Sequence, residues 1–340
     1  MRALVRTDPG KLDWVEAPEP RLGDPREAIV RPIAVTLCDA DRPIVAGRFP
    51  VPGPVAMGHE FVAEVTAVGD AVRTVQVGDR VVVPFQISCG ACDRCRTGLT
   101  GHCRAVPTRS QYGFGALGGD RGGAFSDAVR VPFADGMLVA VPSGVAPEAV
   151  ACASDNLGDG WRAVAPELAR RPGTDVLVLG GIGSVPLYAA GFARACGAGR
   201  VDYLDTDATR LAVAERLGAR ALEGPPPERV GAYDLVVDGT VPETPGLACA
   251  LRSLRPSGLC VGVTIYFADP CIPYFELYSK GARFETGRVM ARATLPHVLD
   301  LVQAGRIDPT VVTQAVLPWD AAPDALRGDV LKPVFVRESS

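Results

Sequence analysis

The densest chemistry in the chain is a run of thiols, Cys89-x2-Cys92-x2-Cys95-x7-Cys103. Four thiolates can close a tetrahedral shell around Zn2+, and two-residue gaps let consecutive sulfurs face one centre. Gly90, Gly98 and Gly101 relieve the tight backbone between them. Four cysteines at these spacings in one short segment are not a chance grouping. A closed shell leaves no open coordination position, so a zinc held here is structural. An iron–sulfur centre is the rival use of the same ligands.

A second set of ligand-type residues is dispersed. Cys38 ends a β-like run, Gly58-His59-Glu60 opens a strand, and Asp155 lies where the first half of the chain meets the second. A catalytic zinc needs about three protein ligands and one open position. Taken singly, Cys38 also reads as a buried apolar cysteine, His59 as a structural histidine and Asp155 as a helix N-cap.

A third feature is Gly181-x-Gly183, which follows an apolar run and leads through Ser184 and Val185 into a helix-like stretch. Glycines there let the backbone approach a pyrophosphate at a helix N-terminus, where N–H groups and the helix dipole favour an anion. Pro186 stands where the fingerprint has its third glycine. Proline is tolerated in a first helical turn but gives no close strand–helix contact. Asp205 ends the next strand, near the separation of about 20 residues that the fingerprint sets. A carboxylate there hydrogen-bonds the ribose 2′-OH of NAD and repels the 2′-phosphate of NADP. Arg210 is a further contact for the adenosine ribose, which leaves some use of NADP open.

Two textures position these groups. Up to about residue 150 the chain holds short β-like runs broken by Gly and Pro, such as 29–35 and 80–84, which argue a β-rich, barrel-type domain. Beyond that, strands and helices alternate: strands at 176–179, 201–204, 233–237 and 259–263, helices running to about Cys196 and over 208–217. Thr244 and Pro245 read as an N-cap and first helical residue, and Gly258 as the end of that unit. This order predicts a parallel sheet with helices on both faces. A helix over 295–303 and a terminal strand over 333–336 are expected to return to the first domain. The expected division is 1–153, with a zinc lobe at 85–104, then 154–287 and 288–340.

The chain has 340 residues, enough for about two domains, and its hydrophobic content of 47% is that of a globular enzyme. A formal net charge of −4, with no basic stripe, argues against a nucleic-acid binder. The first residues lack the apolar core of a signal peptide, and no apolar run is long enough to span a membrane, so a cytoplasmic protein is expected. In a reducing compartment, clustered cysteines point to metal rather than disulfides.

Cys38-x-x-Asp41, then Gly58-His59-Glu60, the four-cysteine lobe and the Gly-x-Gly unit with its acid come in the order found in zinc-dependent alcohol dehydrogenases of the medium-chain dehydrogenase/reductase superfamily. The resemblance spans nearly the whole chain. It implies an α/β architecture: a GroES-like β-rich catalytic domain and a Rossmann domain, with the active site in the cleft between them. By position, Cys38 and His59 resemble the first two ligands of a catalytic zinc, Glu60 the neighbouring acid that can approach the metal, and Asp41 the carboxylate that orients the ligand histidine. Asp155 resembles the third ligand of members that use an acid there, with Cys152 the competing choice. The implied cofactors are two zinc ions per chain and NAD, and the implied assembly is a homodimer or homotetramer.

The implied reaction moves a hydride between a secondary alcohol (a polyol, amino-alcohol or similar) and NAD, giving the ketone, with Phe85, Gln86 and Trp161 lining a pocket whose apolar surface and one amide suggest a medium-sized substrate with a polar handle. The segment 112–119, rich in glycine, reads as a mobile rim or a plain surface loop. Three residues depart from the family pattern: Asp39 beside the expected cofactor phosphates, Ala40 where a relay Ser or Thr sits, and Pro43 where a relay His often sits. The lost relay keeps open a redox-neutral or reductase member with a retained nicotinamide. A non-enzymatic zinc-lobe protein is the more distant alternative.

Overall fold

The computed structural model describes residues 1–242 and 245–337. Two compact units divide the chain: Met1–Gly158 with Val289–Ser340, and Asp159–Arg288.

The first unit is built on β-sheet. Its main sheet has seven strands, in the order Val316–Pro318, Val334–Val336, Ala28–Thr36, Glu60–Val68, Arg80–Val83, Val139–Ala140, with Val129–Val131 also on Ala28–Thr36. Pairing is antiparallel except between the first two. Ala28–Thr36 is buried along most of its length, as a central strand requires. Its Pro32 is tolerated because the register shifts between Pro32 and Ala34, and a bulge removes the need for a ladder donor. A three-stranded sheet, Lys11–Glu16, Arg2–Asp8, Val55–Ala56, flanks it. Leu4, Val30, Met57, Phe61, Phe125 and Phe335 belong to its one large core. The terminal strand Val334–Val336 lies antiparallel to residues 34–36 of Ala28–Thr36.

The second unit is a six-stranded parallel sheet in the order Arg220–Glu223, Arg200–Asp205, Asp175–Leu179, Tyr233–Asp238, Leu254–Gly262, Arg283–Thr286. This is the doubly wound dinucleotide-binding order, whose reversal point lies between the third and fourth strands of that list. Continuous apolar runs such as Val176–Leu179, fully buried, make such strands readable in sequence. The helices Ser184–Ala195 and Ala208–Arg216 fall close to their expected spans.

Two expectations for this unit need correction. The helix Gly246–Arg252 has Pro245 as its N-cap rather than its first residue, and Thr244 lies outside the described residues. Gly258 does not end that helical unit. It sits inside the strand Leu254–Gly262, where Tyr233 faces Leu254 but Leu235 faces Leu259 and Ser257 has φ +60°. The extra residues form a bulge, which glycine suits as well as it suits a helix end. The two edge strands were not anticipated, because Arg220–Glu223 and Arg283–Thr286 are short, charged and largely exposed.

Candidate functional site

In the lobe, the ligand atoms of Cys89, Cys92, Cys95 and Cys103 lie within 4.8 Å of one another. Gly90 and Gly98 have φ of +72° and +81°, the left-handed region where glycine carries no penalty. Gly101 serves differently: a Cβ on it would stand 2.8 Å from the Gln86 side-chain nitrogen. Backbone N–H groups point at the sulfurs, Cys92 at Cys89 Sγ over 3.3 Å, Cys89 at Cys103 Sγ over 3.3 Å and Arg104 at Cys92 Sγ over 3.5 Å. These donors favour thiolates. The hydrogen bond from Arg104 leads in pulling the Cys92 thiol down to about 6, whereas burial pushes Cys95 and Cys103 up. The donor set and spacing fit a tetrahedral zinc.

Cys38, His59 and Asp155 form the second convergence, again with ligand atoms within 4.8 Å of one another. Asp155 Oδ2 lies 3.3 Å from Cys38 Sγ and 3.4 Å from His59 Nε2. On the other side of the ring, His59 Nδ1 is 3.4 Å from Asp41 Oδ1. His59 and Asp41 are fully buried, yet both ring nitrogens and Asp41 Oδ1 lack a hydrogen bond of good geometry. Buried polar atoms are rarely left so. A sulfur, an imidazole nitrogen and a carboxylate oxygen converging on one point match a zinc site with a position to spare. Cys152 Sγ faces the Ala149 carbonyl at 3.8 Å instead.

Glu60 stands next to this trio and is fully buried. Its Oε1 accepts the Asn156 backbone N–H at 2.8 Å, and its Oε2 is held by the Lys332 ammonium. Lys332 Nζ also donates to the Leu37 carbonyl at 2.7 Å. Burial pushes the Glu60 carboxyl up to about 8 against the pull of Lys332. Burial and the Asp155 and Glu60 charges raise the Cys38 thiol. Burial also raises Asp41, with the His59 charge opposing it. Burial would lower His59, but Asp41 and Asp155 together raise it. For Asp155, burial acts upward, and the His59 contact, Cys38 and Lys332 outweigh it to leave the carboxyl below its ordinary value.

Aromatic rings pack on His59: Phe114 at 4.9 Å and Phe85 at 5.5 Å between centroids, with Phe49 a further 5.9 Å from Phe114. Gly113, at φ +75°, is required here, because a Cβ would come within 2.8 Å of His59 Nδ1. Gly113 and Phe114 are therefore packed against the histidine, and Tyr112 before them is fully buried, whereas Ala116 and Gly119 of the same segment are exposed. Gln86 directs its amide elsewhere: its Oε1 accepts the Ala291 N–H at 3.2 Å. Trp161 lies half-buried on the helix Asn156–Arg170.

In the second unit, Gly181 and Gly183 have φ of +138° and +131°, and Gly183 caps Ser184–Ala195. Ser184 and Val185 are buried in the first turn. Pro186 replaces the fingerprint glycine without a clash because Gly239 makes the room: a Cβ there would stand 2.2 Å from Pro186 Cγ. Asp205 is buried and takes a two-point contact from Arg210, Nε to Oδ2 and Nη2 to Oδ1, both 2.8 Å. The Tyr203 hydroxyl adds a bond of 3.2 Å to Oδ2. Asp207 caps the next helix through the Arg210 N–H at 2.8 Å.

These sites stand in a recognisable frame. The family model for the alcohol dehydrogenase GroES-like domain matches residues 24–143. A Mycobacterium tuberculosis protein named "Probable zinc-binding alcohol dehydrogenase" is 32% identical over 329 residues, 95% of this chain and 83% of its own. The chain belongs to the zinc-type alcohol dehydrogenases of the medium-chain dehydrogenase/reductase superfamily. It is an oxidoreductase of that superfamily with a GroES-like and a Rossmann domain. The solved alcohol dehydrogenase TADH from Thermus sp. ATN1 superposes with a TM-score of 0.89 at 31% identity, over 99% of this chain and 100% of that one. A Sinorhizobium meliloti zinc-binding dehydrogenase structure bound to NADP gives a TM-score of 0.80 at 25% identity, over 98% of each chain.

Against the family pattern, Ala40 sits just before the short helix Asp41–Val45 and Pro43 within it, and the Ala40 N–H points at Cys38 Sγ over 3.4 Å. Lys332, Ser154 and Asn156 also serve this site without having been expected to. Ser154 and Asn156 flank Asp155, whereas nothing local marks Lys332.

Proposed function

We propose that the protein interconverts a secondary alcohol and its ketone with NAD, using one catalytic and one structural zinc. The observation that carries this is the convergence of Cys38, His59 and Asp155, separate from the four-cysteine lobe. Bound at that convergence, zinc supplies Lewis acidity to a substrate oxygen, and the nicotinamide supplies or takes up the hydride.

The chain's own residues do the rest. Asp41 Oδ1 stands 3.4 Å from Nδ1 of His59, on the side of the ring away from the Nε2 that would face the metal. Lys332 and the Asn156 backbone hold Glu60 beside the centre. Ala40 and Pro43 give no hydroxyl–imidazole relay, so the substrate proton leaves through Glu60, Asp39 or water. Phe85 and Phe114 pack on the His59 ring, with Phe49 behind Phe114, and shield the imidazole from water.

The test is a panel of polyols, amino-alcohols and aryl carbinols followed by reduced-nicotinamide absorbance with NAD and with NADP. Turnover of secondary alcohols is expected. A tightly retained nicotinamide with no net turnover would instead favour a redox-neutral enzyme, the reading that the lost relay supports.

NAD preference rests on Asp205. Its carboxylate would repel a 2′-phosphate, and it pairs with Arg210, the cation that would attract one. An Asp205→Gly change removes the anion and frees the guanidinium, so the ratio of kcat/KM for NADP to NAD rises by about tenfold or more, roughly the 1.4 kcal/mol of one charged contact. A wild-type enzyme with higher kcat/KM for NADP would refute this reading of Asp205.

We also propose a homodimer or homotetramer. Strand Arg283–Thr286 is an exposed sheet edge, which natural proteins rarely leave unguarded. In the same unit Phe267, Tyr274, Phe275 and Tyr278 are 62–77% exposed, and clustered apolar exposure of this kind marks an interface. Phe275→Glu with Tyr278→Glu is expected to lower the solution mass toward the monomer. An unchanged mass would exclude this face as the contact.

A further inference from the structure

The consecutive residues Ser154, Asp155 and Asn156 each hold a different part of the metal site. The Ser154 hydroxyl accepts the Phe61 N–H at 2.9 Å and donates to the Phe61 carbonyl at 3.0 Å, pinning the turn to the strand that follows His59. Its own carbonyl accepts the Phe85 N–H at 3.3 Å. Asp155 faces Cys38 and His59. Asn156, 2% exposed, gives its backbone N–H to Glu60 and sets its side-chain amide 3.2 Å from Cys38 Sγ. The side chain and the backbone of Asn156 therefore serve different partners.

The sulfur has two oxygen neighbours, Asp155 Oδ2 at 3.3 Å and Asn156 Oδ1 at 3.2 Å. A thiol has one proton and can donate to only one of them. Once the sulfur is a thiolate ligand, it needs N–H donors, and an oxygen at that distance repels it. The Ala40 backbone N–H already points at it over 3.4 Å. The Asn156 amide can supply another, since its oxygen and nitrogen ends are nearly the same shape and turning it over costs no volume.

We propose that Asn156 is a positioning residue for the ligand thiolate: its side-chain N–H donates to Cys38 Sγ, orienting the sulfur and withdrawing charge from it. This rests on Cys38 being a zinc ligand. Partners behind the ligands commonly change metal affinity by about 10–100-fold when removed, and a thiolate relieved of charge leaves the zinc the stronger Lewis acid.

Two variants separate this role from a structural one. Asn156→Leu keeps the approximate volume and removes the donor. Asn156→Asp keeps the shape and offers only oxygens to the sulfur. Both keep the backbone N–H to Glu60. Asn156→Asp places a carboxylate beside Glu60 and Asp155, so its melting temperature is read apart from its metal site. A structural role alone would leave the metal site of the folded variants with the wild-type charge-transfer band.

Zinc affinity is read by chelator competition, and the sulfur-to-metal charge-transfer absorption is read on cobalt-substituted protein. Zinc should leave the Cys38 centre about 10–100-fold more readily in Asn156→Leu, whereas in Asn156→Asp the added anion offsets the lost donor and the absorption band is the readout. The charge-transfer band should shift in both, while the lobe zinc stays. If Asn156→Leu fails to fold, Asn156→Asp decides alone. An unshifted band in Asn156→Asp, or wild-type zinc affinity in a folded Asn156→Leu, overturns the proposal. A wild-type protein that holds only the lobe zinc overturns the reading of Cys38 itself, a different result from a variant that binds as wild type does.

Discussion

Asp155→Asn is expected to reduce turnover by about 10³-fold or more while the melting temperature stays near wild type. The substitution keeps the shape of the side chain and removes the anionic oxygen that lies 3.3 Å from Cys38 Sγ and 3.4 Å from His59 Nε2. Lewis-acid assistance contributes several kcal/mol to such a reaction, and about 4 kcal/mol corresponds to that loss in rate. The rival role, capping the helix that starts at Asn156, predicts almost no change, because Asn caps about as well as Asp. Cys152→Ser is the matched control. Its sulfur faces the Ala149 carbonyl, so its turnover should be retained. Rates and melting curves of the two variants decide the matter, and the reverse pattern would make Cys152 the ligand.

The second large effect is expected in the lobe. Cys103→Ser opens a four-thiolate shell in a segment that has little else to fold it: one short helix, Asp93–Arg96, and one turn, Thr100–His102. Structural zinc supplies about 10–16 kcal/mol in isolated zinc-finger peptides, far more than these turns provide. The lobe should become sensitive to limited proteolysis within 89–103, and the melting temperature should fall. The lobe packs through Gly101 on Gln86, and Gln86 holds the Ala291 N–H. The damage should therefore also reach the start of the helix Ala291–Gln303. An unchanged melting curve with protease resistance would mean that the lobe folds without its metal.

How far the sequence could be read depended on whether a feature was local. Val176–Leu179 and the strand around Leu235 are continuous apolar runs, and burial on both faces leaves that signature. The edge strands Arg220–Glu223 and Arg283–Thr286 lack a buried face, so no pattern marks them. The lobe was legible because all its ligands lie in one segment. Asp205 was legible as an acid at the end of a strand, but its two-point contact with Arg210 depends on a rotamer that spacing does not specify. Pro186 looked like a defect until Gly239, at the end of another strand, was seen to accommodate it. Lys332 reaches Glu60 from far along the chain with a φ of +47°, and a lone lysine carries no sign of such a partner. The amide of Asn156 gained meaning only from its distance to Cys38.

The most direct test of two zinc sites with separate roles is the zinc content of protein purified without added metal. About two per chain are expected in the wild type, with Asp155→Asn keeping only the zinc of the lobe and Cys103→Ser losing that one. A wild-type content of one zinc per chain, retained in Asp155→Asn and lost in Cys103→Ser, would contradict this: the lobe would then be the sole metal site, and Cys38, His59 and Asp155 would not be a catalytic zinc centre.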